Sequence, residues 1–399
     1  MTPPLPLDEA QRRLLEQAEP LPVEHVAVEA ALGRYAAEIV LAARTQPSAD
    51  LSAMDGYAMP EAGLAGPWRI VGESAAGRPF AGTLEPGEAV RISTGALMPP
   101  GAGAVLLQEN AAREGDRLAL NGEGEPSPRH IRRAGFDFRS GDALLAAGSR
   151  MGPAQIALAI SGGRAELAVH ALPAVAVIDS GDELASDPSS CREHQIPASN
   201  GAMLAAMATP HAAGVRRIGP VPDRLEALLA ALESASDADV IVTSGGASVG
   251  DHDLVRPALE AWGASIDFWR VAMKPGKPIL VARRGPQWIL GLPGNPVSSY
   301  VTAYLFLLPL LRRLAGAGHS LPHPVPLALG EDMPAAGERL EFVRARHAGP
   351  TVTPIGEQDS SALRALAASN ALIRREIGAP PARTGEAVLA YLLENGGIA

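Results

Sequence analysis

At 399 residues, 20% charged and 47% hydrophobic, the chain is too long for one ordinary core and reads as a globular protein of two to four domains. A net charge of −10 argues against a nucleic-acid partner, which selects for a basic surface, yet leaves room for local anion sites made of a few cations and backbone amides. The single Cys191 excludes an internal disulfide framework and a cysteine-based zinc site.

Residues 1–8 carry neither a basic nor an apolar leader segment, so a cytoplasmic protein is expected. Residues 8–18 have helical spacing, with Leu7, Leu14 and Leu15 as apolar contacts, and residues 23–43 read as mixed helix until Gln46-Pro47 breaks the pattern. From 51 to 138 short β-prone runs, such as Trp68-Arg69-Ile70-Val71 and Ala104-Val105-Leu106-Leu107, alternate with Gly/Pro turns. Residues 121–128 read as a polar loop. Residues 141–170 read as helix again, with Pro153 at a first helical turn. They could pair with the N-terminal helices and leave the β-rich module as an insertion.

From Pro173 a strand–loop–helix rhythm begins. Strands are expected at 174–178, 239–242, 278–281 and 288–290, and helices at 200–209, 224–234 and 296–314. The longest apolar run, 300–311, is about half a bilayer span and contains Pro309, so it reads as a buried helix and no membrane role is expected. The expected architecture is α/β multidomain. It comprises a discontinuous mainly helical domain (1–45 and 139–172), an inserted β-rich domain (46–138), a doubly wound α/β domain (173–321) and a small C-terminal β-barrel-like domain (322–399).

Chemistry concentrates at the carboxyl ends of the α/β strands. The strand at 239–242 runs into Thr243-Ser244-Gly245-Gly246-Ala247-Ser248-Val249-Gly250, which serves either as an anion cradle or as a plain strand-to-helix turn. Asp251 and Asp253 follow, suited to a metal that accompanies a phosphate or to a helix cap. Lys274-Pro275-Gly276-Lys277-Pro278 fixes two cations on a segment stiffened by two prolines, as an oxyanion requires. Surface lysines would otherwise be simply solvated. Gly294-Asn295-Pro296, with Ser298 nearby, opens a helix whose first amides suit an anion or need only a cap. Glu183 follows the first strand, and Asp55 stands among small and apolar residues at the start of the inserted module, as a turn former or a functional acid.

These segments together resemble the MoeA family, which includes the corresponding domain of eukaryotic gephyrin. The resemblance rests on SAMDGYAM from Ser52, RISTGALMPPGAGAVLLQEN from Arg91, IRRAGFDFRSGD from Ile131, DSGDEL from Asp179 and SNGAML from Ser199. It continues through TSGGASVGDHD from Thr243, KPGKP from Lys274 and GLPGNPVSSY from Gly291, with weaker matches at LEFVRAR from Leu340 and SALRALAASNALI from Ser361. It implies a homodimer with its active site in a cleft between subunits. The implied reaction converts adenylylated molybdopterin and molybdate, with Mg²⁺, into molybdenum cofactor and AMP. Carried over by motif, Asp55, Thr94, Asp137, Glu183 and Asp253 are the expected catalytic positions, the four carboxylates among them also serving the metal. Ser244, Gly245, Gly246, Ser248, Gly250, Lys274, Lys277, Pro278, Gly294, Asn295, Pro296 and Ser298 are the expected substrate contacts, with Arg344 as a weaker match for a further oxyanion contact. A molybdopterin adenylyltransferase and the recipient molybdoenzymes or their chaperones are the implied partners. Phe136, Gly103 and Asn110 depart from the family's usual acids. They leave a non-catalytic molybdopterin carrier as the alternative, with an adenylyltransferase of the MogA type behind it.

Overall fold

The computed structural model describes residues 4–245 and 254–393. Its centre is a six-stranded sheet in the order Gly214–Val221, Ala174–Ser180, Val240–Ser244, Gln287–Leu292, Pro278–Arg284, Ser265–Arg270. The first four strands run parallel, Pro278–Arg284 runs antiparallel to them, and the edge strand Ser265–Arg270 is antiparallel to Pro278–Arg284. Val240, Ile241, Val242 and Leu290 are fully buried; burying side chains of this kind is worth roughly 1.5–3 kcal/mol each. Helices cover both faces. Leu225–Ser234 and Val255–Ala261 pack on one. The other carries Ser199–Ala208 and the helix that runs from Pro296–Thr302 through a π-helical turn, Ala303–Leu307, into Leu308–Leu314.

The N-terminal helix Leu7–Gln17 also belongs to this second face. Leu7, Ala10 and Leu14 join its core, and Gln11 Nε2 donates 2.8 Å to the Leu305 carbonyl. A π turn shifts the backbone hydrogen-bond register, and the buried glutamine gives one of its carbonyls a partner. The expected packing of this helix against residues 141–170 is therefore corrected.

The readings of 23–43 as mixed helix and of 141–170 as helix are corrected too. Val23–Ala27 is a strand paired antiparallel with Glu166–His170, and Val40–Leu41 pairs with Ala143–Leu145. Of the two segments only Pro153–Ser161 is α-helix, with Pro153 in its first turn. The alternation Glu166-Leu167-Ala168-Val169-His170 puts Leu167 and Val169 into a small core with Val28, Val40 and Met151, so period two decides the outcome. The two segments do meet, and the β-rich module leaves the chain between them.

That module is a six-stranded sheet in the order Ala104–Leu107, Gly56–Met59, Glu88–Ile92, Trp68–Ser74, Arg117–Leu120, Ala111–Glu114. Gly56 pairs with Ile92 on one side and Leu107 on the other. A methyl group at Gly56 would overlap the Leu106 carbonyl oxygen, a backbone atom that cannot swing aside. Gly56→Ala is therefore expected to cost about 3 kcal/mol. Hydrogen exchange should show lost protection in Gly56–Met59 and Ala104–Leu107 with the α/β sheet unaffected; unchanged protection in the module would refute the clash.

At the C-terminal end Leu340–Ala348, Thr351–Pro354, Val325–Leu329, Ala387–Leu392 and Ala371–Arg375 close into a five-stranded barrel, the last pairing back with the first. Met273–Lys274 adds to it in parallel, with Lys274 opposite Glu341. The lysine segment of the α/β unit is thereby stitched to the barrel. Among the described residues no helix is long and apolar enough to cross a membrane.

Candidate functional site

Three expected loops converge at the carboxyl ends of the parallel strands. Sheet register sets Asp179 beside Ser244 and Ser244 beside Leu292. The Gly245 amide donates 3.2 Å to the Leu292 carbonyl. Gly245 has φ +94°, and a side chain there would press on the Ser180 carbonyl at 3.0 Å, so this crossing needs glycine. Asn200 Nδ2 ties the loop to the helix Ser199–Ala208 by donating 2.6 Å to the Gly294 carbonyl. Exposed Glu183 folds back over Gly181, its carboxylate 2.6 Å from where a Cβ would stand. Gly246, Ser248, Gly250 and Asp253 lie outside the described residues.

Next to this crossing lies a cavity of about 710 Å³ between the lysine segment and the barrel. Lys274, Lys277, Pro278, Ser298 and Arg344 all line it, as do Arg339 and Arg375. Five cationic side chains thus face four carboxylates, Glu331, Asp332, Glu341 and Asp359. Asp332 is held ionised, pushed down to about 2 by the Thr384 amide and then by Arg383 and the Thr384 hydroxyl. Lys274 Nζ lies 3.5 Å from Glu341 Oε1 with half its side chain exposed; an ion pair so open to water is weak. The segment packs on the helix beyond it, since a side chain at Gly276 would strike Thr302.

Two expectations change in detail. Arg344 is 1% exposed, and its guanidinium donates to the carbonyls of Ala362 (3.2 Å), Glu357 (3.0 Å) and Asp359 (2.9 Å). It shapes the 357–362 loop from inside. Asn295 occupies the N-cap position, but its side chain makes no cap bond. It donates instead to Ser360 Oγ at 2.9 Å, while the Val297 amide donates to the Ser360 carbonyl at 3.1 Å. One early amide of this helix is therefore already committed, and Ser360 links the strand-end loops to the cavity.

The carboxylates of the inserted module stand apart. The Thr94 amide and hydroxyl donate to Asp55 Oδ1 at 2.7 and 3.1 Å and, the amide first, hold that carboxyl below the usual range. The Asp137 amide donates to the Gln46 carbonyl, and Phe136 beside it is 75% exposed. Neither Asp55 nor Asp137 lines the cavity. Among the described residues no three His, Cys, Asp or Glu side chains gather as a metal centre requires. The carboxylate set expected for Mg²⁺ is therefore not assembled by the described residues of one chain.

Asp179 lies in the acidic strand end from which the motif match takes only Glu183 as a site residue. It ends an otherwise apolar strand, is 2% exposed, and faces Arg217 at 3.5 Å. Burial pushes its carboxyl up, against the Arg217 charge and the Gly201 amide; a side chain at Gly201 would overlap it. The available signal was an acid closing the run Ala174-Val175-Ala176-Val177-Ile178. Ser360 and Gln358 carried no comparable signal, because their role comes from the loop that Arg344 folds.

Three family profiles match the chain in order. One described as the MoeA N-terminal region, domains I and II, covers residues 5–163. One described as a probable molybdopterin binding domain covers 176–313, and one described as the MoeA C-terminal region, domain IV, covers 326–393. The molybdopterin molybdenumtransferase of Haemophilus influenzae is 34% identical over 395 residues, spanning 96% of this chain and 97% of that protein. Its counterpart in Bacillus subtilis is 32% identical over 412 residues, spanning 98% and 95%. A molybdopterin biosynthesis MoeA protein from Pyrococcus horikoshii superposes with a TM-score of 0.83 at 26% identity, over 98% of this chain and all of that one.

Proposed function

The chain belongs to the MoeA family of molybdopterin molybdenumtransferases, and from that premise we propose that it inserts molybdenum from molybdate into adenylylated molybdopterin with release of AMP. It is a transferase of molybdenum cofactor biosynthesis. The observation that carries the mechanism is the 710 Å³ cavity in which Lys274, Lys277 and Ser298 meet beside the strand-end loops. Two lysines on the Lys-Pro-Gly-Lys-Pro segment, its backbone fixed by the barrel pairing, attract a tetrahedral dianion. Glu341 competes for Lys274, so the incoming anion displaces a weak ion pair.

The glycine crossing at Ser244, Gly245 and Gly294, where no large side chain stands over the backbone, supports placing the pterin phosphates against it. Asp55, with its Thr94 donors, and Asp137 are assigned to the reacting phosphoanhydride, and Glu183 to the pterin side. Because the module carboxylates line neither the cavity nor the crossing in one chain, a homodimer is proposed in which the module of one subunit meets the strand-end loops of the other. No step is assigned to Mg²⁺. Molybdopterin adenylyltransferase is the proposed supplier of substrate, and molybdoenzymes or their chaperones the recipients, in the cytoplasm. The test is AMP release from adenylylated molybdopterin: it should require molybdate, and molybdate-independent release would contradict the reading.

A further inference from the structure

Cations gather a second time in this molecule, away from the site above. Where residues 146–150 cross the last helix of the α/β unit, a cavity of about 420 Å³ is lined by Tyr35, Arg150, His211, Arg312, His319 and His323, and none of its lining residues is acidic. Four parts of the chain build it. Tyr35 and Arg150 form an isolated β-bridge. His211 ends the short turn Thr209–His211. Arg312 lies on Leu308–Leu314, and the two remaining histidines follow that helix with their rings 6.1 Å apart, edge to face.

The floor is buried and the mouth is open. Arg312 is 5% exposed, and Tyr35 and His211 are each 7% exposed, whereas His319 and His323 are exposed. Arg150 Nε is buried with no hydrogen-bond partner. Burial, then the charges of Arg312 and Arg150, push His211 down to about 4, so at neutral pH its ring is uncharged and offers one N–H. Burial also raises the Tyr35 hydroxyl, against the pull of the same two arginines, so it stays protonated and able to donate. Guanidinium, imidazole and phenol donors thus face one space whose lining carries no negative charge. Arginine forks in a desolvated pocket match the oxygens of a tetrahedral anion, and the volume exceeds that of a bare ion and falls in the range of small-molecule sites.

We propose that this cavity is a second oxyanion site, which takes a tetrahedral dianion either free or as the terminal phosphate of a small molecule. It is distinct from the cavity of Lys274. Inorganic phosphate and AMP are the probes, titrated calorimetrically at constant ionic strength into the full-length protein, its Lys274→Ala variant, and variants Arg150→Met and His323→Ala. Saturable binding is expected in wild type and Lys274→Ala. Arg150→Met should raise Kd at least 10-fold. His323→Ala, at an exposed position that does not threaten folding, should weaken binding several-fold. AMP binding that is tenfold tighter than phosphate and is weakened by Arg150→Met would assign the phosphate of a larger molecule, and equal affinity the free ion. Absence of saturable binding in wild type, or affinity unchanged in both cavity variants, would overturn the proposal.

Discussion

Arg344→Met should destabilise the protein by about 2 kcal/mol, because it strips the donors from three part-buried carbonyls of the 357–362 loop, for which water replaces only some of the about 1–3 kcal/mol that a fully buried unsatisfied group costs. Methionine restores the apolar bulk but none of the bonds to Ala362, Glu357 and Asp359. Gln358 still bridges to the backbone of residue 344 through its own amide, at 3.0 Å in each direction, so the barrel strand should persist while the loop loosens. Ser360 moves with that loop, and it holds Asn295 and the Val297 amide at the helix start. KM for molybdate should rise together with loss of hydrogen-exchange protection over 357–362. Arg344→Lys should fail to rescue, since one ammonium cannot span carbonyls placed around a planar fork. A raised KM with loop protection intact would instead mean that Arg344 touches the anion itself.

Lys274→Ala carries the largest expected effect on turnover, a loss of roughly 100-fold at subsaturating molybdate, comparable to removing one preorganised donor from an anionic transition state. The loss comes from two sources. One fixed charge disappears from the cavity, and Glu341, now without its partner at 3.5 Å, adds repulsion toward a dianion. Lys277→Ala should therefore cost less, because no comparable carboxylate is released among the described residues. Glu341→Gln should act in the opposite direction and lower KM for molybdate, by freeing Lys274. Steady-state rates across molybdate concentrations separate the three. Equal losses for the two lysine variants would contradict the role given to Glu341.

Much of this was legible in the sequence where local chemistry decides the outcome. The run at Ala174–Ser180, Gly245 after Val240–Ser244 and the Asn295-Pro296 helix start report their elements directly, because burial on both faces, positive φ and fixed φ each restrict residue choice. The strand pairing of Val23–Ala27 with Glu166–His170 was hidden because a partner about 140 residues away, rather than local propensity, settles it. The N-terminal helix was read correctly as a helix but not as part of the α/β core, since its docking depends on a π turn nearly 300 residues later. Arg344 was expected at the anion. Only the folded loop shows three carbonyls turned toward it. Motif order likewise grouped Asp55, Asp137 and Glu183 by chemistry, although no metal centre forms among the described residues.

The most direct test uses purified full-length protein with adenylylated molybdopterin, with and without molybdate, beside the Lys274→Ala variant, following AMP by chromatography. AMP should appear only with molybdate, and the variant should release it roughly 100-fold more slowly at low molybdate. Tight binding of the adenylylated substrate with no AMP under any condition would contradict the transferase assignment and leave a molybdopterin carrier in its place.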